Sequence, residues 1–226
     1  MLDKTSNDID DKRKLNINVG SGLDVLPGFI SLDNSIYLKF ARIWQSVLRL
    51  FLSHEKLALV KDARKALRTG DFIKHDCRKR LPFADSSVDH ILCSHFLEHV
   101  YPDEMSLILE DFHRVLKPGG TFHLIVPHLE RFVNLYSESQ DTLAADEFIR
   151  WMLMSAPSKP TFRYRFLEFL GFEGMKHRWL YDQKSLKEKV LSANMSPLID
   201  MSVPSASYRD WCNASLHICA VKKCDQ

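Results

Sequence analysis

The chain predicts an α/β fold built on a mostly parallel, seven-stranded sheet with helices on both faces. Three observations carry that reading. Short, continuously apolar runs recur along the chain, as in strands buried on both faces. Helical periods alternate with them. Several of the runs stop at glycine or polar punctuation, namely Gly20-Ser21-Gly22, Asp33, Asp76 and Ser94, and parallel sheets bind ligands beyond the carboxyl ends of their strands. The 226 residues suit one domain, expected over 14–226 behind a mobile tail at 1–13.

The elements follow in order. Leu15 to Val19 is a buried strand entering a glycine turn, and Phe29 to Leu32 is a second strand ending at Asp33 after the turn Pro27-Gly28. Asp33 comes only eleven positions after Gly22, too few for a crossover helix, so the first connection is an abbreviated turn. Residues 36–68 read as one or two helices, with Tyr37, Phe40, Ile43, Trp44, Val47, Leu48 and Phe51 opposed by Lys39, Arg42, Ser46 and Arg49. Over 36–53 this describes a core-facing helix with a solvated back; contact with a membrane surface is the alternative.

Phe72 to His75 and Val88 to Cys93 supply the third and fourth strands. A helix carrying Met105, Ile108, Phe112, Val115 and Leu116 starts at Pro102-Asp103 and stops at Lys117-Pro118-Gly119-Gly120. Thr121 to Val126 is the fifth strand. Asp182 caps a helix with Leu186 and Val190, and Asn194 stands at its left-handed end. Leu198 to Met201 and Leu216 to Val221 complete the sheet. Residues 129–181 are rich in aromatics, among them Phe132, Tyr136, Phe148, Trp151, Phe162, Tyr164 and Phe166, and read as a helical cap inserted after strand five.

Composition excludes several classes. Hydrophobic residues at 45% and charged ones at 27%, with 8 Gly and 9 Pro, describe an ordinary globule. Lys plus Arg number 31 against 29 Asp plus Glu, so whole-surface charge gives no argument for nucleic acid. None of the 5 cysteines forms a CxxC pair; Cys93 and Cys219 fall inside predicted strands and read as core. The N-terminus lacks the apolar region of a signal peptide, and no apolar run is long enough to span a bilayer, so the protein is expected to be cytoplasmic.

Three strand ends converge on one chemistry. Gly20-Ser21-Gly22 has no third glycine to complete a dinucleotide fingerprint. Asp33 ends the second strand, where a carboxylate accepts from two vicinal ribose hydroxyls. Asp76 ends the third, placed to accept from an exocyclic amine. No basic cluster of the kind a pyrophosphate wants accompanies them, so a nucleoside is expected.

On these residues the chain resembles the class I S-adenosylmethionine-dependent methyltransferases, especially the type 11 group. The matching stretches are Leu15 to Gly22, Pro27 to Asp33, His75-Asp76 with Leu81-Pro82-Phe83, and Asp89 with Ser94 to His99. Arg114 to Gly120 and, more loosely, His177 to Asp182 continue them. The resemblance implies a Rossmann-like fold and S-adenosyl-L-methionine as cofactor, leaving S-adenosyl-L-homocysteine. It implies that Gly20, Ser21 and Gly22 admit the methionine part, that Asp33 with Asn34 holds the ribose, and that Asp76 and Cys77 bracket the adenine. Ser94 and His95 then lie under the sulfonium. Asn18 stands where many relatives have an acid; its amide oxygen bonds an ammonium more weakly than a carboxylate would.

Methyl transfer draws on positioning in a dry pocket, and a hydroxyl acceptor also needs a base, for which histidine is best suited. His128 is the first candidate, then His99, with His95 close to the methyl. The expected acceptor is a small molecule or glycan methylated at oxygen, with no nucleic-acid partner and no metal. Cap aromatics would stack on a sugar or ring, and Arg163 and Arg165 would suit a carboxylate or phosphate. Glu98 reads as a helix N-terminal residue favoured by the dipole. Two alternatives stand beside this: a methyltransferase fold serving only as a binding module, and a zinc hydrolase using His95, Glu98 and His99 in an H-x-x-E-H pattern.

Overall fold

The computed structural model describes residues 14–49, 52–152, 176–198 and 215–223. Seven strands, β1 (Asn16–Val19), β2 (Phe29–Asp33), β3 (Phe72–Lys74), β4 (Val88–Ser94), β5 (Leu116–Pro127), β6 (Met195–Pro197) and β7 (Ser215–Lys222), form one sheet in the order β3-β2-β1-β4-β5-β7-β6. The pairs from β3 to β5 are parallel, and β7 runs antiparallel to both β5 and β6. The mostly parallel sheet expected from the apolar runs is therefore present. Its chain order reverses between β1 and β4, the place where such sheets open a ligand crevice.

The helices are α1 (Ile36–Phe40), α2 (Gln45–Leu48), α3 (His54–Ala66), α4 (Pro102–Val115), α5 (Leu129–Glu138), α6 (Ala144–Trp151) and α7 (Gln183–Ser192). Met105, Ile108, Leu109, Phe112 and Val115 put the apolar stripe of α4 into the main core with Ile17, Val19, Ile91, Phe122 and Leu124 from the strands and Leu186 and Val190 from α7. A second, smaller cluster joins Leu38, Ala63, Ala66 and Phe72 across α1, α3 and β3. The start of β1 is pinned by Asp89 of β4, whose Oδ2 accepts from the Leu15 N–H at 2.8 Å and from Lys117 Nζ at 2.7 Å. Asp182 caps α7 by accepting from the Ser185 N–H at 2.7 Å, and Asn194 takes the left-handed φ of 57° at its far end, both as the sequence implies.

The first connection, from β1 to β2, contains no helix, as the short spacing demands. Two expectations need correction. Residues 36–53 do not form one amphipathic helix: α1 stops at Phe40 and α2 starts at Gln45. At the break Arg64 of α3 donates from Nε to the Ala41 carbonyl at 2.9 Å and from a terminal nitrogen to the Ile43 carbonyl at 2.6 Å. Trp44, expected on the apolar face, is 80% exposed. Among the described residues of 36–53 the helix is thus interrupted rather than continuous, and among the described residues no helix is long and apolar enough to cross a membrane. The sixth strand lies at Met195–Pro197, ahead of Leu198 to Met201, most of which falls outside the described residues. Also outside them are the expected tail at 1–13, Phe51, Cys212, Cys224, and Phe162, Arg163, Tyr164, Arg165 and Phe166.

After β5 the chain enters α5 and α6, which meet through Phe132 on Trp151 at 6.2 Å and Tyr136 on Phe148 at 5.6 Å between ring centroids. It returns at Tyr181, which bridges to His128 in parallel register and accepts the Leu129 N–H at 3.0 Å. The excursion 129–181 leaves and rejoins the sheet at one point.

Candidate functional site

The carboxyl ends of β1, β2 and β4 lie side by side, because β1 pairs with both neighbours in register: Val19 stands opposite Leu32 and Cys93. After Val19 the chain bends sharply. Gly20 takes a φ of 70° and donates its N–H to the Leu32 carbonyl at 2.9 Å, which also accepts the Ser21 N–H at 3.1 Å. A Cβ at Gly20 would sit 2.5 Å from the Phe96 side chain, so only glycine fits where the β4 exit packs on this turn. At Gly22, with φ 64°, a Cβ would meet nothing within 4 Å: the space above it is open. Ser21 Oγ is buried with no hydrogen-bond partner among the described residues. Asn18 is buried within β1, between Ser31 and Leu92.

Asp33 faces this turn. Its Oδ2 accepts the Gly22 N–H at 2.9 Å and its Oδ1 accepts the Ser35 N–H at 2.6 Å. Burial pushes its carboxyl up to about 6, opposed by the backbone N–H groups of Gly22, Ser35 and Asn34 and by the nearby His99. Asn34 itself is exposed. Two backbone bonds to different oxygens fix the carboxylate plane and leave each oxygen a further acceptor direction.

The end of β3 is arranged differently. Both Asp76 oxygens engage Arg78, at 3.0 Å from Nε and 3.0 Å from a terminal nitrogen, and this pairing holds the carboxyl below the usual range. The Cys77 thiol points inward to the Leu32 carbonyl at 3.5 Å, and burial pushes it up to about 12; only its backbone is available to a ligand. His75 Nε2 is buried without a hydrogen-bond partner among the described residues.

Beyond β4 the chain turns through His95, whose φ of 52° is unusual for a residue with a side chain. Its N–H donates to the Ile125 carbonyl at 2.8 Å, its Nδ1 lies 3.0 Å from Glu98 Oε1, and its Nε2 lies 3.3 Å from Ser215 Oγ on β7. Ser94, the last residue of β4, is half-buried. Leu97–His99 is a single 3-10 turn. Glu98 does stand in the first turn of this short helix, but it is 0% exposed and held inside the protein, its carbonyl accepting the Arg178 N–H at 2.7 Å and the Trp179 N–H at 3.2 Å. His99 directs Nδ1 at the Lys176 carbonyl at 3.1 Å. His177 packs 5.1 Å from it, centroid to centroid, with Nε2 4.0 Å from Glu98 Oε1, and burial pulls the His177 imidazole down.

His128 stands at the N-cap position of α5 without a side-chain capping bond; its Nε2 has no hydrogen-bond partner among the described residues and lies 3.8 Å from Glu130 Oε2. Cys93 is buried in β4, as expected of a core residue. The turn, Asp33, Ser94, His95 and His99 thus come together at the centre of the sheet, while Asp76 is turned to Arg78. Ser35, Lys176 and Ser215 join the arrangement through backbone groups or a single hydroxyl, and nothing in the sequence marks them.

A family model described as a methyltransferase domain matches residues 33–124, the stretch from Asp33 through β4 and α4 into β5. No curated protein matches the chain. Solved structures share its fold. The complex of the Trm112 methyltransferase activator with a protein classed as a methyltransferase, from Haloferax volcanii, is 18% identical with a TM-score of 0.51, covering 94% of this chain and 83% of that one. A Pyrococcus horikoshii protein is 15% identical with a TM-score of 0.52, covering 95% and 85%. An S-adenosylmethionine-dependent methyltransferase of Methanosarcina mazei is 17% identical with a TM-score of 0.50, covering 93% and 92%. At these identities the likeness is one of fold. Strand order and the solved structures agree on the fold: the chain is built on a Rossmann-like, class I methyltransferase fold, residues 33–124 match a methyltransferase domain, and S-adenosylmethionine is the cofactor that goes with that fold.

Proposed function

We propose that this chain transfers a methyl group from S-adenosylmethionine to an oxygen of a small-molecule or glycan acceptor in the cytoplasm. The observation that carries the reading is Asp33: a carboxylate fixed by the Gly22 and Ser35 N–H groups directly beside the open glycine turn. Such a group accepts vicinal ribose hydroxyls in charge-assisted bonds. Ser21 Oγ and His75 Nε2, buried without hydrogen-bond partners among the described residues, fit a polar ligand nearby.

The cofactor, when bound, supplies an electrophilic methyl. The protein's part is to place an acceptor oxygen in line with that methyl and to exclude water. Ser94 and His95 border the reacting region; because both His95 ring nitrogens are engaged, that residue positions rather than accepts a proton. His128 is the first choice for the base. Its Nε2 has no hydrogen-bond partner among the described residues and lies 3.8 Å from Glu130 Oε2. The excursion 129–181 is proposed to cap the groove and select the acceptor.

Titration with S-adenosylhomocysteine tests the cofactor, and labelled cofactor offered to fractionated cell extract tests the acceptor. Label confined to RNA would remove the small-molecule reading. His128→Asn is expected to keep cofactor affinity while kcat falls roughly 10²- to 10⁴-fold; an unchanged kcat would take His128 out of the mechanism.

A further inference from the structure

We propose that Glu98, His99 and His177 form a binding site for one divalent first-row transition-metal ion of the Zn²⁺ class, beside the carboxyl end of β4. Each offers one ligand atom, and the three atoms lie within 4.8 Å of one another. Two imidazoles and a carboxylate are a donor set that suits zinc and its neighbours.

The geometry is prepared in detail. A carbonyl can only accept, so the contact from His99 Nδ1 to the Lys176 carbonyl at 3.1 Å places the proton on Nδ1 and leaves Nε2 with its lone pair. That is the way histidine ligands are usually oriented. His177 Nε2 stands 4.0 Å from Glu98 Oε1, too far for a hydrogen bond. Two ligands each about 2.0–2.1 Å from one ion stand roughly 3.3 Å apart, so a small inward movement seats both. Glu98 Oε2 is the second, independent sign: in a residue with 0% exposure it has no hydrogen-bond partner among the described residues. A buried carboxylate oxygen left in this way is costly, and a cation there would satisfy it. The carboxylate is oriented by His95 Nδ1 at 3.0 Å, and the Glu98 carbonyl ties the two contributing segments together through Arg178 and Trp179.

This set differs from the hydrolase pattern legible in the sequence. His95 is committed to Glu98 and Ser215, and Leu97–His99 is a 3-10 turn rather than the middle of an α-helix. With three protein ligands the ion would keep open positions, as catalytic sites do. Resting on the methyl-transfer reading, those positions would take the acceptor hydroxyl and lower its pKa. The acceptor proton would go to the base proposed above, His128, the oxygen–methyl bond would form as the methyl–sulfur bond breaks, and sulfur would keep the electron pair. His99 would then act as ligand and not as base.

The test is calorimetric titration of the chelator-treated chain with Zn²⁺ alone, followed by Co²⁺ substitution read by visible absorption. One equivalent is expected, with affinity falling roughly a hundredfold or more in His177→Ala and in His99→Gln and the cobalt bands lost. His217→Ala, which opens the other close histidine pair at 3.2 Å, should leave zinc affinity unchanged. Zinc affinity no better than millimolar in the unaltered chain, or affinity that survives both His177→Ala and His99→Gln, would overturn the site. S-adenosylhomocysteine titrated in parallel separates the two readings: its failure to bind a zinc-competent chain would refute methyl transfer and leave the metal site standing.

Discussion

Asp33 is pulled in opposite directions by folding and by the ribose binding proposed for it. Its folded carboxyl is raised from 3.8 to about 6, chiefly by burial, so the fold favours the protonated form. The stabilisation that protonated Asp33 contributes is complete below pH 4 and lost as pH rises through about 6. At neutral pH the ionised group therefore costs about 3 kcal/mol. Ribose hydroxyls need the ionised form, so cofactor binding near pH 6 is expected to release a proton. Heats of S-adenosylhomocysteine binding in two buffers of different ionisation enthalpy should diverge at pH 6 and agree at pH 8; agreement at both would place the ribose elsewhere. Asp33→Ala should weaken binding at least tenfold, since each charge-assisted bond contributes about 1.5–3 kcal/mol. Gly20→Ala should destabilise by about 1–3 kcal/mol, read from the denaturant midpoint, because the new Cβ meets Phe96 at 2.5 Å. Asp33 and the glycines were legible because residue type and strand-end position both pointed to them. The burial of Glu98 was not: a carboxylate at a helix start usually faces water, whereas here the returning segment is tied to it through the Arg178 and Trp179 N–H groups on its carbonyl.

At the level of elements, apolar periodicity located strands and helices but missed breaks set by distant residues. Nothing local marks the interruption between α1 and α2, which has neither glycine nor proline; it is Arg64, on the next helix, that captures the carbonyls of Ala41 and Ile43. Pro197 hid β6, since proline argues against a strand except at an edge, and β6 is one of the two edge strands. Arg114 is the converse case, a motif residue whose role is structural. It binds Asp111 at 2.6 Å, Asp85 at 2.7 Å, the Phe83 carbonyl at 2.9 Å and the Leu81 carbonyl at 3.1 Å, fastening the loop before β4 to α4. Arg114→Lys cannot reproduce this fork and should cost about 2–3 kcal/mol of stability, measured by chemical denaturation, with cofactor affinity unchanged.

For the whole molecule, strand count and parallel direction were readable because buried strands leave continuous apolar runs. The placement of β7 between β5 and β6 was not, since edge order depends on contacts between segments far apart in the chain. Cofactor binding should stabilise the entire sheet: at a hundredfold excess over Kd, S-adenosylhomocysteine should add about 2.7 kcal/mol, a rise in Tm of roughly 5–10 °C. A flat melting temperature would argue against binding at the folded sheet. The neck at His128 and Tyr181, where the Leu129 N–H reaches the Tyr181 carbonyl at 3.0 Å, has a wider meaning. Whatever is threaded between those two positions starts and finishes at the same doorway, so closing it off asks little more for a long insert than for a short one. An insert of another length or sequence can therefore be exchanged there like a cartridge, leaving the register of the sheet undisturbed.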